Sequence, residues 1–368
     1  MDFCYLDVLR LNSQTTVDYI IVGQGLAGSC LALQLVQQGK RVAVIDRKHE
    51  NSATQVAAGL FNPITGRHMT LTWMADTLFP YLHEFYKQAE QITAATFFHP
   101  MPLYRPFVSI EEQNEWMGKS ANATIASYIK DVHVSSIDED RVQNKFGGLM
   151  IQQCGYVNTV KFCEAVRQHI RHTNTLLDED FQEEELIVEE DFIQYRLFKA
   201  RKIIFCQGER AATTKFFSWL PIRPLKGETL TISTSTTVSK IYNRGVYVVP
   251  EIWRVGATYQ FNDTSRSITE VGRKELVTKL DELVNFPYQI VTQSWGMRPT
   301  TPDRRPIIGP HPNHQSVVIF NGLGTKGVSL APYFSKVLTT WLENGVPVNK
   351  EVDIHRYKHY NYGGNLLR

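Results

Sequence analysis

Residues 19–46 read YIIVGQGLAGSCLALQLVQQGKRVAVID, and this stretch decides the fold. An apolar strand, Tyr19 to Val22, runs into a glycine-rich turn. A helix-compatible segment, Ser29 to Gln38, is followed by a second apolar strand, Arg41 to Ile45, and then by Asp46. Strand, spaced glycines, helix, strand and terminal acid in this order are typical of a dinucleotide-binding βαβ unit. The sequence therefore predicts an α/β fold that contains such a unit.

The glycine-rich turn reads Gly23-Gln24-Gly25-Leu26-Ala27-Gly28, and each glycine has a physical task. Gly23 permits the tight turn, Gly25 lets the backbone approach a pyrophosphate, and Gly28 lets helix and strand pack closely. Leu26 and Ala27 lie between Gly25 and Gly28, and the N-terminus of the helix that follows supplies N–H groups and positive dipole to the phosphates. We expect these five residues to bind the cofactor. A glycine-rich turn in an ordinary α/β protein is the alternative.

The acid at the end of the second strand predicts the type of nucleotide. Asp46 is placed to accept hydrogen bonds from the 2′- and 3′-hydroxyls of a ribose, and its charge repels a 2′-phosphate. Arg47 follows it directly and belongs to the same predicted site. We therefore expect an adenine dinucleotide that carries no 2′-phosphate.

Composition limits the class of protein. The chain has 368 residues, enough for a substantial core and two lobes. Its 39 basic residues nearly balance its 37 acidic ones, so no strong field attracts nucleic acid or an anionic membrane. A nucleic-acid partner is thus disfavoured, although a local basic patch stays possible.

Cysteine usage and apolar runs predict the compartment. The five cysteines are dispersed and form no C-x-x-C pair, which suits a reducing compartment and buried thiols. The first 14 residues lack the basic and apolar regions of a signal peptide. No apolar run approaches the roughly 20 residues that span a bilayer. We expect a soluble cytoplasmic protein without a transmembrane segment; its oligomeric state stays open.

Further pieces of a nucleotide-binding sheet recur late in the chain. The strand Lys202 to Phe205 ends near Gly208, as a returning strand of the first sheet would, and Val317 to Leu342 contains strand, glycine loop and helix. Between them, residues 230–259 alternate apolar and polar side chains as an antiparallel sheet does. Phe97 to Val108, rich in proline, suggests an edge strand. The acidic run 178–191 suggests a solvated hairpin more than a metal site.

Ordered motifs along most of the chain resemble the D-amino acid oxidase and glycine oxidase superfamily of FAD-dependent amine oxidoreductases. The order and spacing of these motifs carry the resemblance. They are the turn at 23–28, Ala57-Ala58-Gly59-Leu60, the strand ending at Gly208, PLKGE at 224–228, VYVVP at 246–250 with VGAT at 255–258, WGMRP at 295–299, and NGLGTKG at 321–327 leading to Ala331-Pro332.

The resemblance implies a discontinuous FAD-binding Rossmann-like domain of the glutathione-reductase type, interrupted by an inserted α+β substrate domain with an antiparallel sheet. The predicted FAD-binding domain comprises 15–95, 145–220 and 295–368, and the predicted substrate domain comprises 96–144 and 221–294. Some relatives attach FAD covalently through a histidine, at the place where this chain has Gln55-Val56. Others use a cysteine near the arginine motif, and this chain has no cysteine after Cys206. We therefore expect FAD to bind noncovalently.

The resemblance also assigns cofactor-binding residues beyond the first turn. Ala58, Gly59 and Leu60 would line the flavin. The loop after Asn321 would bring backbone N–H groups to the ribityl chain and pyrimidine edge, and the helix beginning near Val328, with Pro332 in its first turn, would direct its positive end at the flavin. The remaining residues of this set are Gly208, Gly322, Gly324, Thr325, Lys326, Gly327 and Val328.

Two residues are the predicted catalytic ones. Arg298 matches an arginine that holds the carboxylate of an amino acid, a task for which a planar guanidinium suits two parallel hydrogen bonds. It is assigned to the cofactor site as well; a structural arginine in a proline-rich loop is the alternative. Tyr247 matches a tyrosine near the substrate, and an ordinary sheet aromatic is the alternative. We expect no metal site, because His169–His172 and His311–His314 lack further ligands at suitable spacing.

The predicted reaction is oxidation of the C–N bond of a small amino acid or of a secondary amine that bears a carboxylate. Oxygen, or another electron acceptor, would reoxidise the flavin. One alternative is oxidation of a carboxymethylaminomethyl group on the wobble uridine of tRNA, because residues 58–63 and 324–332 also resemble the oxidase half of a bifunctional tRNA-modifying enzyme. The other is a flavoprotein subunit that transfers electrons without acting on a substrate.

Overall fold

The computed structural model describes residues 14–65 and 69–361. The chain divides into two compact units. Unit 1 comprises Met1–His49, Cys163–Pro224 and Arg298–Arg368, and unit 2 comprises Glu50–Phe162 and Leu225–Met297.

The strands of the described residues, in chain order, are β1 (Thr15–Thr16), β2 (Tyr19–Val22), β3 (Val42–Ile45), β4 (Leu60–Phe61), β5 (Ile64–Thr65), β6 (Thr70–Leu71), β7 (Phe98–Pro100), β8 (Leu103–Pro106), β9 (Ile129–His133), β10 (Gly148–Ile151), β11 (Gly155–Val157), β12 (Thr175–Leu177), β13 (Leu186–Val188), β14 (Ile193–Tyr195), β15 (Phe198–Ala200), β16 (Lys202–Phe205), β17 (Arg223–Ser233), β18 (Ile241–Arg244), β19 (Val246–Val249), β20 (Arg254–Gly256), β21 (Gln289–Thr300), β22 (Ile307–His311) and β23 (His314–Asn321). The α-helices are α1 (Leu26–Gln37), α2 (Ala53–Val56), α3 (Ala75–Thr93), α4 (Ile110–Lys119), α5 (Ala123–Ala126), α6 (Thr159–Thr173), α7 (Glu270–Asp281), α8 (Gly327–Asn344) and α9 (Lys358–Asn361).

Unit 1 is built on a six-stranded sheet in the order β12-β3-β2-β16-β23-β22. The first five strands are parallel, and β22 is antiparallel to β23. The central strands β2 and β3 are fully buried, as continuous apolar runs in parallel sheets are. The predicted returning strand is confirmed, because β16 lies between β2 and β23.

A second, four-stranded sheet of unit 1 has the order β1-β15-β14-β13. Its strands β13 and β14 form the hairpin that the acidic run predicts, starting at Leu186. Ile193 and Tyr195 of this sheet belong to the same apolar cluster as Ile203 and Phe205 of the six-stranded sheet. One continuous core therefore supports both sheets.

Unit 2 contains most of an eight-stranded sheet in the order β21-β17-β20-β19-β18-β8-β10-β9. Strands β17 to β20 pair in antiparallel fashion, as the alternating pattern predicts. Leu230, Val248 and Val255 join Leu276 and Leu280 of helix α7 in one buried cluster. One face of this sheet is thus packed against a helix, and a fold with a dinucleotide-type sheet and a separate antiparallel sheet is confirmed.

Two local predictions are wrong. The prolines of segment 97–108 predict an edge strand; β7 is one, but β8 pairs with both β18 and β10. Pro102 precedes β8 and Pro106 ends it, so few ladder hydrogen bonds are lost. Pro332 does not lie in the first helical turn, because α8 begins at Gly327 and Pro332 falls in its second turn, where the bond from its nitrogen to the carbonyl of Val328 is missing.

The units differ from the predicted domains at their boundaries. Segments 50–95, 145–162 and 295–297, predicted for the FAD-binding domain, belong to unit 2, and residues 221–224, predicted for the substrate domain, belong to unit 1. A compact unit reflects packing and not contact with a cofactor, so the predicted domain bounds stay a prediction. Among the described helices, none is both long and apolar enough to cross a bilayer.

Candidate dinucleotide and substrate site

The predicted cofactor residues of unit 1 follow the carboxyl ends of neighbouring parallel strands. In the register of the sheet, Val22 lies beside Ile45 on one side and beside Phe205 on the other. Phe205 in turn lies beside Ile319 of β23. The glycine-rich turn, Asp46, Gly208 and the loop after Asn321 therefore all start from one edge of the sheet. Open α/β sheets bind their ligands at this edge.

The first glycine-rich turn has the geometry that a pyrophosphate requires. Gly23 has a φ of 94°, and a β-carbon there would lie 2.7 Å from the carbonyl oxygen of Cys206. A β-carbon at Gly28 would lie 1.9 Å from the carbonyl oxygen of Gly23. Helix α1 begins at Leu26, and no side chain caps its N-terminus. The residues present fit a dinucleotide, because a helix N-terminus without a side-chain cap directs its positive dipole end towards phosphate oxygens.

A buried hydrogen-bond network fixes the acid that is predicted to bind ribose. The backbone N–H of Gln24 donates to Oδ1 of Asp46 over 2.9 Å. Arg167 of helix α6 donates from Nη1 to Oδ2 of Asp46 over 3.0 Å and to Oε1 of Gln24 over 2.9 Å. Arg47 does not join this network; its Nη1 lies 3.6 Å from Asp180. Sequence reasoning missed Arg167, which lies 121 positions from Asp46.

We expect Arg167→Met to weaken FAD binding by about 10- to 100-fold, because the partly buried Asp46 and the buried Gln24 lose a charge-assisted partner. The measurement is titration of apoprotein with FAD, followed by quenching of flavin fluorescence. Arg171→Met is the control, because Arg171, on the same helix, pairs with the exposed Asp178, which Arg167 also contacts over 2.8 Å. Equal FAD affinity in wild type and in Arg167→Met would show that the network does not position Asp46.

The C-terminal glycine loop adjoins both the first turn and the Arg298 segment. The N–H of Gly324 donates to the carbonyl of Pro299 over 3.0 Å. A β-carbon on Gly327 would lie 3.1 Å from the side chain of Leu26. Helix α8 starts at Gly327, and no side chain caps its N-terminus. Two uncapped helix N-termini of unit 1 thus lie close together.

Gly208 belongs to the same edge. Its carbonyl accepts a hydrogen bond from Nδ2 of Asn321 over 2.8 Å, which ties the end of β16 to the start of the glycine loop. Gly208 and Gly322 have φ values of 59° and 73°. The structure brings these predicted residues together with the first turn. Their contact with FAD stays a prediction.

Lys326 carries a perturbed charge in this loop. Burial and, secondarily, the charge of Arg304 lower the pKa of the Lys326 ammonium to about 8. Both causes disfavour the protonated form in the folded protein.

The pH dependence of the free energy of unfolding tests whether the pKa of Lys326 is lowered in the folded protein. Because the folded pKa is lowered, the charged Lys326 costs stability below pH 8, and this cost disappears as pH rises from about 8 to 10.5. We therefore expect apoprotein Lys326→Met to unfold at higher denaturant concentration than wild type at pH 7, with a difference that shrinks over that window. Lys336→Met on α8 is the control. A difference independent of pH would contradict the assigned pKa.

In unit 2, the Ala58-Gly59-Leu60 segment is held against strand β11. Gly59 has a φ of 71°, and its carbonyl accepts the N–H of Val157 over 3.0 Å. A β-carbon at Gly59 would lie 1.8 Å from the carbonyl oxygen of Val157. Leu60 pairs with Tyr156 in the register of β4 and β11. Only glycine fits this close approach, which positions the segment that is predicted to line the flavin.

The two predicted catalytic residues belong to different units. Tyr247 lies on β19, opposite Asn243 and Gly256, and a β-carbon on Gly256 would lie 2.7 Å from its hydroxyl. Arg298 lies near the end of β21, directly before Pro299, whose carbonyl accepts the N–H of Gly324. The roles of both residues stay predictions. Within the residues that the structure covers, no cluster of three or more potential metal ligands is present.

Comparisons with known proteins agree with this architecture. The model of the DAO family, described as FAD dependent oxidoreductase, matches residues 18–341. The chain is 23% identical over 356 residues to the bifunctional protein ThiO/ThiG of Trichormus variabilis, a match that covers 89% of this chain and 53% of that protein. It is 24% identical over 338 residues to the tRNA 5-methylaminomethyl-2-thiouridine biosynthesis bifunctional protein MnmC of Saccharophagus degradans, covering 84% and 46%.

The chain therefore spans about half the length of these two relatives. The crystal structure of glycine oxidase from Bacillus cereus superimposes with a TM-score of 0.76 at 16% identity, over 91% of this chain and 97% of that one. This likeness shows the fold.

Proposed function

Because the chain belongs to the DAO family of FAD-dependent oxidoreductases, we propose that it oxidises the C–N bond of an amino acid or secondary amine that bears a carboxylate. The observation that carries the proposal is the link between the Arg298 segment and the glycine loop, through the bond from Gly324 to the carbonyl of Pro299. It fixes the predicted carboxylate-binding residue beside a loop predicted to bind the flavin.

Bound FAD supplies the hydride acceptor. Arg298 binds the carboxylate and thereby orients the α-carbon, and Tyr247 lines the substrate side. The substrate amine is neutral when its α-hydrogen leaves as hydride, so no side chain has to act as a base. Holding donor and acceptor at about 3–3.5 Å supplies much of the catalysis. The resulting imine is hydrolysed by water to a carbonyl compound and an amine or ammonia.

We propose that FAD is bound noncovalently, because Gln55 and Val56 stand where a histidine linkage would form and no cysteine follows Cys206. Acid precipitation of the yellow holoprotein is expected to leave the flavin in the supernatant. A yellow pellet would contradict noncovalent binding. We also propose a cytoplasmic location, because Cys154, Cys163 and Cys206 are buried thiols outside any disulfide, as is usual in a reducing compartment.

The reaction products test the proposal. Purified holoenzyme is incubated in air with one amine at a time, and carbonyl product, released amine or ammonia, and hydrogen peroxide are quantified. Equal amounts of carbonyl product and released nitrogen identify C–N oxidation, and equal peroxide identifies oxygen as the acceptor. A parallel reaction with a quinone or dye acceptor identifies a dehydrogenase. Consumption of no amine with any acceptor would reject the proposal.

A second candidate is oxidation of a carboxymethylaminomethyl group on tRNA. The observation that favours it is residues 324–332, GTKGVSLAP, which resemble the oxidase half of the bifunctional tRNA-modifying enzymes. The group is a secondary amine with a carboxylate, so Arg298 would take the same role. The near-neutral charge of 39 basic and 37 acidic residues disfavours it, because RNA-binding proteins use several Lys or Arg contacts to phosphate. Release of glyoxylate from carboxymethylaminomethyl-modified tRNA, and not from free amino acids, would establish it.

A further inference from the structure

Three loops at the carboxyl edge of the six-stranded sheet are joined by a small group of charged and polar side chains. Asp180 follows β12, His49 follows β3, and Arg210 lies in the short 3₁₀ helix after β16. In the strand order β12-β3-β2-β16, β2 lies between the strands that lead to His49 and to Arg210. The group, here called the Asp180 cluster, therefore bridges the loops on both sides of the strand that enters the glycine-rich turn. All three residues belong to unit 1.

The Asp180 cluster is a closed set of hydrogen bonds. Nη1 of Arg210 donates to Oδ1 of Asp180 over 3.0 Å, and Nη2 of Arg210 lies 3.3 Å from Nδ1 of His49. Because a guanidinium only donates, Nδ1 of His49 accepts, and the proton of the imidazole is on Nε2. Nε2 lies 3.1 Å from the same Oδ1 of Asp180 and donates to it. Each of the three side chains thus holds the other two.

The cluster carries more positive than negative charge. The hydrogen bond from Arg210 is the main cause that lowers the pKa of Asp180, and partial burial opposes this shift. Nη1 of Arg47 lies 3.6 Å from Oδ2 of Asp180, so two guanidinium groups surround one carboxylate. The side chains are between 35% and 66% exposed, and ion pairs at such exposure contribute little to the stability of a fold. The arrangement therefore suits a binding role better than a structural one.

The position of the Asp180 cluster indicates which part of the cofactor meets it. Asp46 is predicted to bind ribose hydroxyls, and in FAD these belong to the adenosine half, because the flavin half carries an open ribityl chain. The N–H of Asp46 donates to the carbonyl of Leu177, at the end of β12, over 3.0 Å. Arg167, which fixes Asp46, also contacts Asp178 over 2.8 Å. Asp180 lies two residues further along the chain, so the cluster lies at the predicted adenosine end of the site.

The side chains of the cluster suit an adenine ring chemically. A planar guanidinium and an imidazole stack on flat aromatic faces, and N–H groups of Arg210 beyond the two used in the cluster are donors for the ring nitrogens of a purine. Asp180 restricts Arg210 and His49 before any ligand arrives. Binding to restricted side chains loses less conformational entropy than binding to free ones.

We propose that Arg210 and His49 contact the adenosine half of FAD and that Asp180 is a positioning residue that holds them there. The loops after β12, β3 and β16 then close over this end of the cofactor. The inference concerns the binding of FAD and goes beyond the proposed reaction. It involves no transfer of hydride, proton or electrons.

Competition by the two halves of the cofactor tests the inference. Apoprotein is titrated with FAD in the presence of ADP, which carries the adenosine half, or of FMN, which carries the flavin half. Arg210→Met is expected to weaken ADP binding about 5- to 20-fold while FMN keeps its affinity within about twofold. Asp180→Asn should weaken ADP binding about 3- to 10-fold, and Arg210→Lys should retain part of the affinity. Arg196→Met is the matched control, because Arg196 pairs with Glu179 and Glu185 of the same segment.

Release of intact FAD gives a second measurement, on the holoprotein. After dilution, the rise of flavin fluorescence reports the rate at which FAD leaves. Arg210→Met and Asp180→Asn should release FAD about three- to tenfold faster than wild type, and Arg196→Met should release it at the wild-type rate. A structural role alone would instead lower the denaturant midpoint of the Arg210→Met apoprotein below that of the Arg196→Met apoprotein.

Two outcomes overturn the inference: release of FAD at the wild-type rate from both Arg210→Met and Asp180→Asn, or equal losses of ADP and FMN affinity in Arg210→Met. Neither measurement uses turnover. A holoprotein that oxidises no amine would therefore reject the proposed function and leave this inference standing.

Discussion

Gly28→Ala is expected to prevent stable FAD binding and to lower the free energy of unfolding by about 2–4 kcal/mol. The added methyl group would lie 1.9 Å from the carbonyl oxygen of Gly23, and backbone cannot rotate away as a flexible side chain can. Helix α1 must therefore move away from the glycine-rich turn. That movement displaces both the turn and the helix N-terminus that are predicted to hold the pyrophosphate, and it disrupts packing in which Leu31 and Leu35 are fully buried.

Gly118→Ala is the matched control, because it adds the same methyl group to another helix. Gly118 lies in α4, and a β-carbon there would meet no atom within 4 Å. Alanine in an open helical position is expected to be neutral or to stabilise by up to about 1 kcal/mol. Denaturant unfolding gives the stability of each apoprotein, and fluorescence titration gives its FAD affinity. Wild-type stability and FAD affinity in Gly28→Ala would refute the close approach.

Arg298→Met is expected to lower the ratio of the flavin reduction rate to the substrate dissociation constant by about 10²- to 10³-fold for every carboxylated amine. Methionine keeps most of the side-chain length but cannot hold a carboxylate, so the substrate loses both affinity and orientation. Stopped-flow measurement of anaerobic flavin reduction, with FAD content determined for each preparation, separates this loss from loss of the cofactor.

Arg305→Met controls for the removal of a charge near the same loop. Arg305 pairs with Glu351 on the surface over 2.6 Å and is assigned no role at the site. Its replacement should leave flavin reduction unchanged. If Arg298→Met reduces flavin as fast as wild type at the same substrate concentration, another residue binds the carboxylate.

Much of the nucleotide-binding sheet could be predicted from local sequence. Strands β2 and β3 are short apolar runs buried on both faces, and β16 is buried from Ile203 to Phe205. A glycine turn follows β2, Asp46 follows β3, and Gly208 lies shortly after β16. The positions of β2, β3 and β16 in one parallel sheet followed from that pattern. The spacing of Gly23, Gly25 and Gly28 predicted the turn between β2 and α1, because each of the three positions needs a residue without a side chain.

The residues that complete the site could not be predicted, because distant pairings create them. Arg167 reaches Asp46 only after helix α6 has packed against the sheet, and nothing near position 167 in the sequence marks it. The prolines that flank β8 predict an edge strand, but β8 lies inside the sheet because it pairs with β18 on one side and with β10 on the other.

The most direct test of the central claim is anaerobic mixing of the holoenzyme with pairs of amines that differ only in a carboxylate, followed by flavin absorbance. Glycine is paired with methylamine, and sarcosine with dimethylamine. The account predicts that at least one carboxylated amine bleaches the flavin, that its partner without the carboxylate does so far more slowly, and that Arg298→Met removes the difference. Bleaching that is independent of the carboxylate, or a protein that binds no added FAD, would contradict it.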